Sequence, residues 1–233
     1  MGKIKKIILF IVEGITDEMS LSLILSKLID DSSVQFHVIN SDITSDFNSS
    51  AQNIIRKIDG EVKNYLSKNT GLRKTDIKEI IHLVDTDGAF VDEDHIIEDD
   101  SCEKTFYTEN SIHTNKKDLI VSRNERKSSI LNKLYQTNSI GRISYRIFFF
   151  SSNLEHVLHN NQNTPLDEKS MYSYRFVDKY VGDESQFIKF ISSSDFAVKG
   201  KYRDTWKFIK TDLNSLNRYC NLHLFFKDNA HLS

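Results

Sequence analysis

Two acidic clusters, each at the end of an apolar run, carry the chemistry this chain can do. Ile7-Ile8-Leu9-Phe10-Ile11-Val12 runs into Glu13-Gly14-Ile15-Thr16-Asp17-Glu18, and Ile80-Ile81-His82-Leu83-Val84 runs into Asp85-Thr86-Asp87-Gly88. Short apolar β-branched runs ending near Gly read as strands buried on both faces of a parallel sheet. In α/β sheets, ligands bind beyond the carboxyl ends of such strands. Carboxylates gathered there can hold a hard cation, Mg²⁺ or Mn²⁺, against phosphate oxygens. The expected chemistry is therefore metal-dependent work on phosphate esters. On a strand, residues two apart face the same way, so Asp85 and Asp87 share one face if the strand persists through Asp87. The plainer alternative is a turn, for which Asp-Gly is a common pair.

The surrounding pattern must position these groups. A strand over Lys6–Val12 is followed by a helix starting at Thr16 or Asp17, with Thr16 as N-cap and Met19, Leu21, Leu23, Ile24, Leu25 and Leu28 as its apolar face. Asp30–Ser33 reads as a loop, Val34–Ile39 as a strand, Ala51–Leu66 as a helix and Lys78–Val84 as a strand. This βαβαβ order implies a parallel sheet with right-handed crossovers. Beyond it, Phe106–Tyr107 and Leu119–Val121 read as short strands and Asn124–Gln136 as a helix. Arg142–Phe150 is a clear strand, with a helix starting at Leu154. Residues 160–174 are polar, hold the only proline and read as a mobile loop. Asp183–Ile191 and Tyr202–Leu216 read as helices, and Asn221–Lys227 as a last short strand.

Glu13-Gly14-Ile15-Thr16-Asp17, followed by a helix and later by Val84-Asp85-Thr86-Asp87-Gly88, resembles the Toprim superfamily of topoisomerases, primases and nucleases. The details are similar to its overcoming-lysogenization-defect (OLD) branch of nucleases. The resemblance implies an α/β, Toprim-like three-layer fold with a mainly parallel central sheet and a C-terminal helical extension. Residues 1–160 would form the catalytic domain, with an insertion at about 89–141, and 161–233 an extension packed on it. It implies Mg²⁺ (or Mn²⁺) held by Glu13, Asp17, Asp85, Asp87, Ser152 and Glu155, although Ser152 to Glu155 is one residue longer than the family's Ser-x-Glu. It also implies a lysine, Lys199 or Lys201, beside the transition state. The implied activity is phosphodiester hydrolysis of DNA or RNA, with a role in phage defence. No Gly-x-x-x-x-Gly-Lys-Ser/Thr occurs, so an ATPase partner would be a separate subunit.

Two other readings compete. Leu83-Val84-Asp85-Thr86-Asp87-Gly88 with Phe150-Ser151-Ser152-Asn153 also resembles the haloacid-dehalogenase-type phosphatases, in which Asp85 would be a nucleophile. Glu13 separates the two families, since only the Toprim arrangement needs it beside Asp85 and Asp87. The third reading is a non-catalytic module that binds nucleic acid or an ATPase. His156 and His159, three apart beside Glu155, are candidates for metal ligation or for a helix surface. Arg123, Arg126, Lys127, Lys133, Arg142 and Arg146, and then Lys199, Lys201, Arg203 and Lys207, make two basic groups. Arg123, Arg126, Lys127, Lys201 and Arg203 are the expected phosphate contacts.

The 233 residues suffice for a large core, and 39% hydrophobic with 27% charged residues is ordinary for a soluble protein. A net charge of −2 excludes a uniformly basic nucleic-acid binder but not a local groove. Two distant cysteines, Cys102 and Cys220, suggest a reducing compartment without a disulfide framework. Lys3, Lys5 and Lys6 before a six-residue apolar run fall short of a signal peptide, and Lys6 stands where an N-myristoylation motif at Gly2 needs Ser or Thr. The expected location is cytoplasmic.

Overall fold

The computed structural model describes residues 6–29, 33–39 and 41–228. Gly2, Lys3, Lys5 and the loop residues Asp30–Ser32 lie outside the described residues. The elements in chain order are β1 (Ile7–Val12), α1 (Ile15–Ile29), β2 (Val34–Val38), α2 (Ile54–Lys68), β3 (Ile77–Asp85), β4 (Ile96–Glu98), β5 (Phe106–Tyr107), β6 (Ile112–Thr114), α3 (Lys117–Leu134), β7 (Ser139–Ile140), β8 (Ile143–Phe150), α4 (Leu154–His159), α5 (Lys169–Tyr180), α6 (Glu184–Ile191), α7 (Tyr202–Phe208) and α8 (His223–Asp228).

Five strands form the central sheet in the order β2-β1-β3-β8-β7. The first four run parallel, and β7 closes the edge antiparallel to β8. The β7–β8 turn is Gly141-Arg142, both at positive φ (55° and 71°), which suits a tight two-residue hairpin. Every residue of β1 is buried, because helices cover both faces of the sheet. Alternate residues enter separate cores. Ile8, Phe10 and Val12 join α1, α5, α6 and α8, whereas Ile7, Leu9 and Ile11 join α2, α3 and Trp206 of α7. The result is a three-layer α/β fold, as the strand pattern predicts.

Between β3 and α3 the chain builds a small second sheet, β4-β6-β5, over a third apolar cluster of Val91, Ile96, Ile112, Ile120 and Leu216. The expected insertion at 89–141 is thus two things: this small sheet, and a core-layer helix that connects β3 to β8. The Leu119–Val121 segment is not a strand. It lies inside α3, where Ile120 and the half-buried Val121 pack against the small sheet's cluster while Leu119 turns outward.

Other expectations fail at the C-terminal end. The segment expected as a mobile loop over 160–174 contains the start of α5, whose Ser173 hydroxyl meets that of Ser20 on α1 at 2.9 Å. The helix expected over Tyr202–Leu216 ends at Phe208, where Asn214 Nδ2 takes the Phe208 carbonyl and Asp212 adopts φ 50°. Asn221–Lys227 is not a strand: His223–Asp228 is α8, with Leu224 and Phe225 buried. Asn221 itself does strand-like work. The upper edge of β8 has no strand beside it, and Asn221 Oδ1 accepts from Phe149 N (2.8 Å) while Tyr202 Oη donates to Ile147 O (2.9 Å). These side chains occupy ladder groups that an uncovered edge would expose. Among the described residues, no helix is long and apolar enough to cross a membrane.

Candidate active site

The carboxyl ends of β1, β3 and β8 converge at one edge of the sheet, and each delivers acidic side chains there. β1 pairs with β3 through Ile11 opposite His82, so continuing the register brings Glu13 level with Val84, next to Asp85. β3 pairs with β8 through Asp85 opposite Phe150. Backbone bonds continue past the strand ends, from Thr86 N to Phe150 O (3.0 Å) and from Asp87 N to Ser152 O (2.8 Å). Thr86 locks the junction: its hydroxyl donates to Ser215 O (3.0 Å) and accepts from Ser152 N (2.8 Å).

This geometry corrects how the Asp-x-Asp pair reaches the site. The strand stops at Asp85. Asp87 sits at φ 48° and Gly88 at φ 67°, so Asp87 is placed by a left-handed turn and not by strand alternation. A Cβ at Gly88 would lie 2.7 Å from Leu216 Cδ2 and 2.9 Å from Ile112 Cδ1, which leaves room only for glycine. One face of α3 holds the turn in place. Arg123 Nη2 donates to Asp87 O (2.8 Å) and Asn124 Nδ2 to Gly88 O (3.1 Å).

Lys127, one turn further along α3, is the central basic group. It is fully buried and donates to Asp87 Oδ2 (2.5 Å) and Asp42 Oδ2 (2.7 Å). Asp42 is absent from the residues expected from sequence. It lies in the loop after β2, where its Oδ1 accepts from Thr44 N and Ser45 N in a turn that fixes the carboxylate. The signal for it is its place just past the end of a third parallel strand, the same logic that picks out Glu13 and Asp85. Burial alone would raise the Asp42 pKa. Lys127 and the Thr44 and Ser45 hydrogen bonds outweigh that and hold it well below the usual carboxylate range. Burial likewise opposes the charge on Lys127, yet Asp42, Asp87 and Glu13 keep its pKa well above the ordinary lysine value.

The remaining acids are under-compensated. Glu13 is pushed well above the usual carboxylate range by burial, then by Asp42, Asp85 and Asp87, against the pull of Lys127. Its Oε1 is buried without a hydrogen-bond partner among the described residues. Asp85 is also raised well above the usual range, by burial and then by Asp17, Asp87 and Glu155. Asp17, whose Oδ2 accepts from Gly14 N (2.9 Å) at the start of α1, is pushed up to about 6 by burial and by Glu155. All three residues keep some solvent contact, so they line a cleft floor and are not sealed in the core. Glu155, in the first turn of α4, pairs with Lys169 of α5 at 2.9 Å. Six carboxylates thus face two ammonium groups. Among the described residues, no three acidic or histidine side chains stand close enough together to form a ligand shell; Lys127 lies between Asp42 and Asp87 instead.

Glu13, Asp17, Asp85, Asp87 and Glu155 are brought together, and other expected residues are not. Lys199 and Lys201 are exposed, sit on the segment beside Cys220 along the far side of β8, and form no ion pair among the described residues. The lysines that ion-pair with the acidic cluster are instead Lys127 and Lys169. Lys127 is therefore no surface phosphate contact: burial against two aspartates occupies its ammonium. Arg123 is likewise held, by Tyr107 Oη (2.8 Å) and Asp87 O. Arg126 stays near the surface, over the exposed ring of Phe47, and Arg203 is exposed on α7. Ser152 adopts φ 59°, and its hydroxyl accepts from Gln162 Nε2 (3.1 Å), while the Ser151 hydroxyl donates to Asn214 O (2.7 Å). The two serines shape the turn into α4. His159 packs its ring on Tyr172 and Phe176, and burial lowers the His156 pKa to about 4, so both are neutral residues in the packing.

No family model, curated protein or solved structure matches the chain. Its function is therefore inferred from the cluster itself.

Proposed function

We propose that the chain is a divalent-cation-dependent phosphodiester hydrolase acting on DNA or RNA, of the Toprim type. Glu13, Asp85 and Asp87, which form no ligand shell as they stand, draw in around the cation when it arrives, with Asp17 and Glu155 completing its surroundings. The observation that carries this reading is Glu13. A buried carboxylate oxygen with no partner, crowded by three further acids, is costly unless a cation arrives. The donors are all hard oxygens, which suits Mg²⁺ or Mn²⁺ over softer metals. A divalent cation bound there supplies Lewis-acid stabilisation of a phosphate oxygen and a water of lowered pKa.

The chain's own groups prepare that site. Lys127 holds the Asp87 carboxylate in place through a direct ion pair, and Lys169 does the same for Glu155. Asp17 and Asp85 release their protons when a cation binds, so affinity rises with pH. The carboxyl-edge placement leaves the cleft open to a backbone phosphate, and Arg126 on its rim can meet the neighbouring one.

The phosphatase alternative is disfavoured by the serines. A hydroxyl that binds a substrate phosphate must face the cleft, and those of Ser151 and Ser152 are engaged with Asn214 and Gln162. The test is Mg²⁺- or Mn²⁺-dependent nicking of plasmid DNA and cleavage of RNA by wild type and by an Asp85→Ala/Asp87→Ala variant. Cleavage that disappears in the variant is expected; identical behaviour of the two proteins with both metals sinks the proposal. Turnover of small phosphate monoesters lost in Asp85→Asn alone would favour the phosphatase.

A further inference from the structure

Next to Glu155 lies a cavity of about 400 Å³, within the ~300–1,000 Å³ range of small-ligand sites. Its floor is Asn153, Glu155 and Lys169. One wall is Lys104–Tyr107 of the small sheet and the other is Gln162–Leu166. The two walls are clamped together, since Tyr107 N donates to Asn163 Oδ1 (2.8 Å) and Asn163 Nδ2 to Tyr107 O (2.7 Å). A continuous chain of hydrogen bonds ties this clamp to the cluster: Asp87 O accepts from Arg123, and Arg123 donates to Tyr107 Oη. The cavity is thereby held in fixed register with the carboxylates.

Its lining is unusual for a surface hollow. Phe106 is 49% exposed and Leu166 is 75% exposed, and both stand at its walls. Lys104 is exposed there with no ion pair among the described residues, whereas the Lys169 ammonium is already paired with Glu155 at 2.9 Å. An aromatic face, apolar rims, amide groups and the unpaired ammonium of Lys104 beside the acidic cluster are what a nucleotide needs: a ring to stack its base, and charge for its phosphate.

Resting on the hydrolase reading, we propose that this cavity takes one unstacked base of the substrate strand, stacked on Phe106, and that the substrate class is single-stranded nucleic acid. A paired base cannot enter a side cavity without leaving its stack, which costs a few kcal/mol in a duplex and far less in a single strand. The acidic cluster repels polyanions, so affinity without a cation must come from contacts such as this one. Deoxyribose and ribose strands present the same stacking face, so both are tested.

The experiment measures binding by fluorescence anisotropy, using labelled oligothymidylate, oligouridylate and a blunt DNA duplex in Mg²⁺. The protein is the Asp85→Asn chain, with and without Phe106→Ala or Phe106→Trp. Single strands are expected to bind more tightly than the duplex. Phe106→Ala should weaken single-strand binding by at least about fivefold, leave duplex binding unchanged and leave the melting temperature unmoved, while Phe106→Trp retains binding. Single-strand binding that is indifferent to Phe106→Ala overturns the proposal, even if the wild type cleaves plasmid. If Phe106→Ala weakens single-strand binding but the wild type hydrolyses nothing with either metal, the base site stands and the hydrolytic reading falls.

Discussion

Lys127 Nζ lies 2.5 Å from Asp87 Oδ2, and this contact joins the middle of α3 to the turn that follows β3. A fully buried ammonium is tolerated only because Asp87 and Asp42 both accept from it. The same pair fixes the Asp87 carboxylate in the cleft. Lys127 is thus a built-in cation in a site with too much negative charge.

That role predicts the behaviour of Lys127→Met. Removing one partner of a buried ionic network typically costs about 3–5 kcal/mol, because the other charges stay behind. The variant should melt well below wild type in a chelating buffer. Added Mg²⁺ should then raise its melting temperature more than that of wild type, since a cation replaces the lost compensation. Equal metal-induced shifts in thermal melts of the two proteins would show that Lys127 does not share the field of the metal-binding carboxylates.

Asp17 gives a prediction in pH. Its folded pKa, about 6, lies above its ordinary value of 3.8, so the folded protein holds this proton where the unfolded chain has lost it. Such a group contributes stability fully below its unfolded pKa, and that contribution is lost as pH rises through the folded value. Asp17→Asn removes the dependence while keeping an acceptor for Gly14 N. Relative to wild type, the variant should therefore gain stability between pH 4 and pH 7. Paired denaturant melts across that range measure this, and a constant difference would refute it.

The three strands that carry the site are legible because their runs are apolar on both faces, and β1 and β3 are found to within a residue of the expected bounds. Glu13 and Asp85 follow from those strand ends. The roles of Asp42 and Lys127 do not follow, because 85 residues separate the partners and a lone lysine in a charged helix reads as surface. α5 escaped detection because its first turns belong to a polar stretch with the proline and its contact with α1 runs partly through the Ser20 and Ser173 hydroxyls. α8 misread as a strand because a six-residue segment around Leu224-Phe225-Phe226 is too short for either period to show.

Gly88 tests the turn that aims Asp87. Alanine there meets two penalties, a positive φ and a Cβ pressed against Leu216 and Ile112. Overpacking of this kind costs about 1–3 kcal/mol. Gly88→Ala should lower stability by that order in urea melts and weaken Mg²⁺ binding by calorimetry, because displacement of the turn moves Asp87. Metal binding that is untouched in a destabilised variant would mean that Asp87 is not a ligand.

The last prediction sets two sets of lysines against each other. The sequence resemblance places the assisting cation at Lys199 or Lys201, yet both are exposed and lie away from the carboxylates, whereas Lys169 pairs with Glu155 inside the cleft. Loss of a group that orients a metal-site carboxylate typically costs about 10–100-fold in metal affinity or activity. Lys169→Ala should lose cleavage on that scale, and Lys169→Arg should recover part of it by re-forming the pair. Lys199→Ala and Lys201→Ala should cleave as wild type does. If Lys199→Ala or Lys201→Ala instead abolishes cleavage while Lys169→Ala is silent, the loop after α6 must close over the cleft in the reacting complex, and the assignment of Lys169 fails.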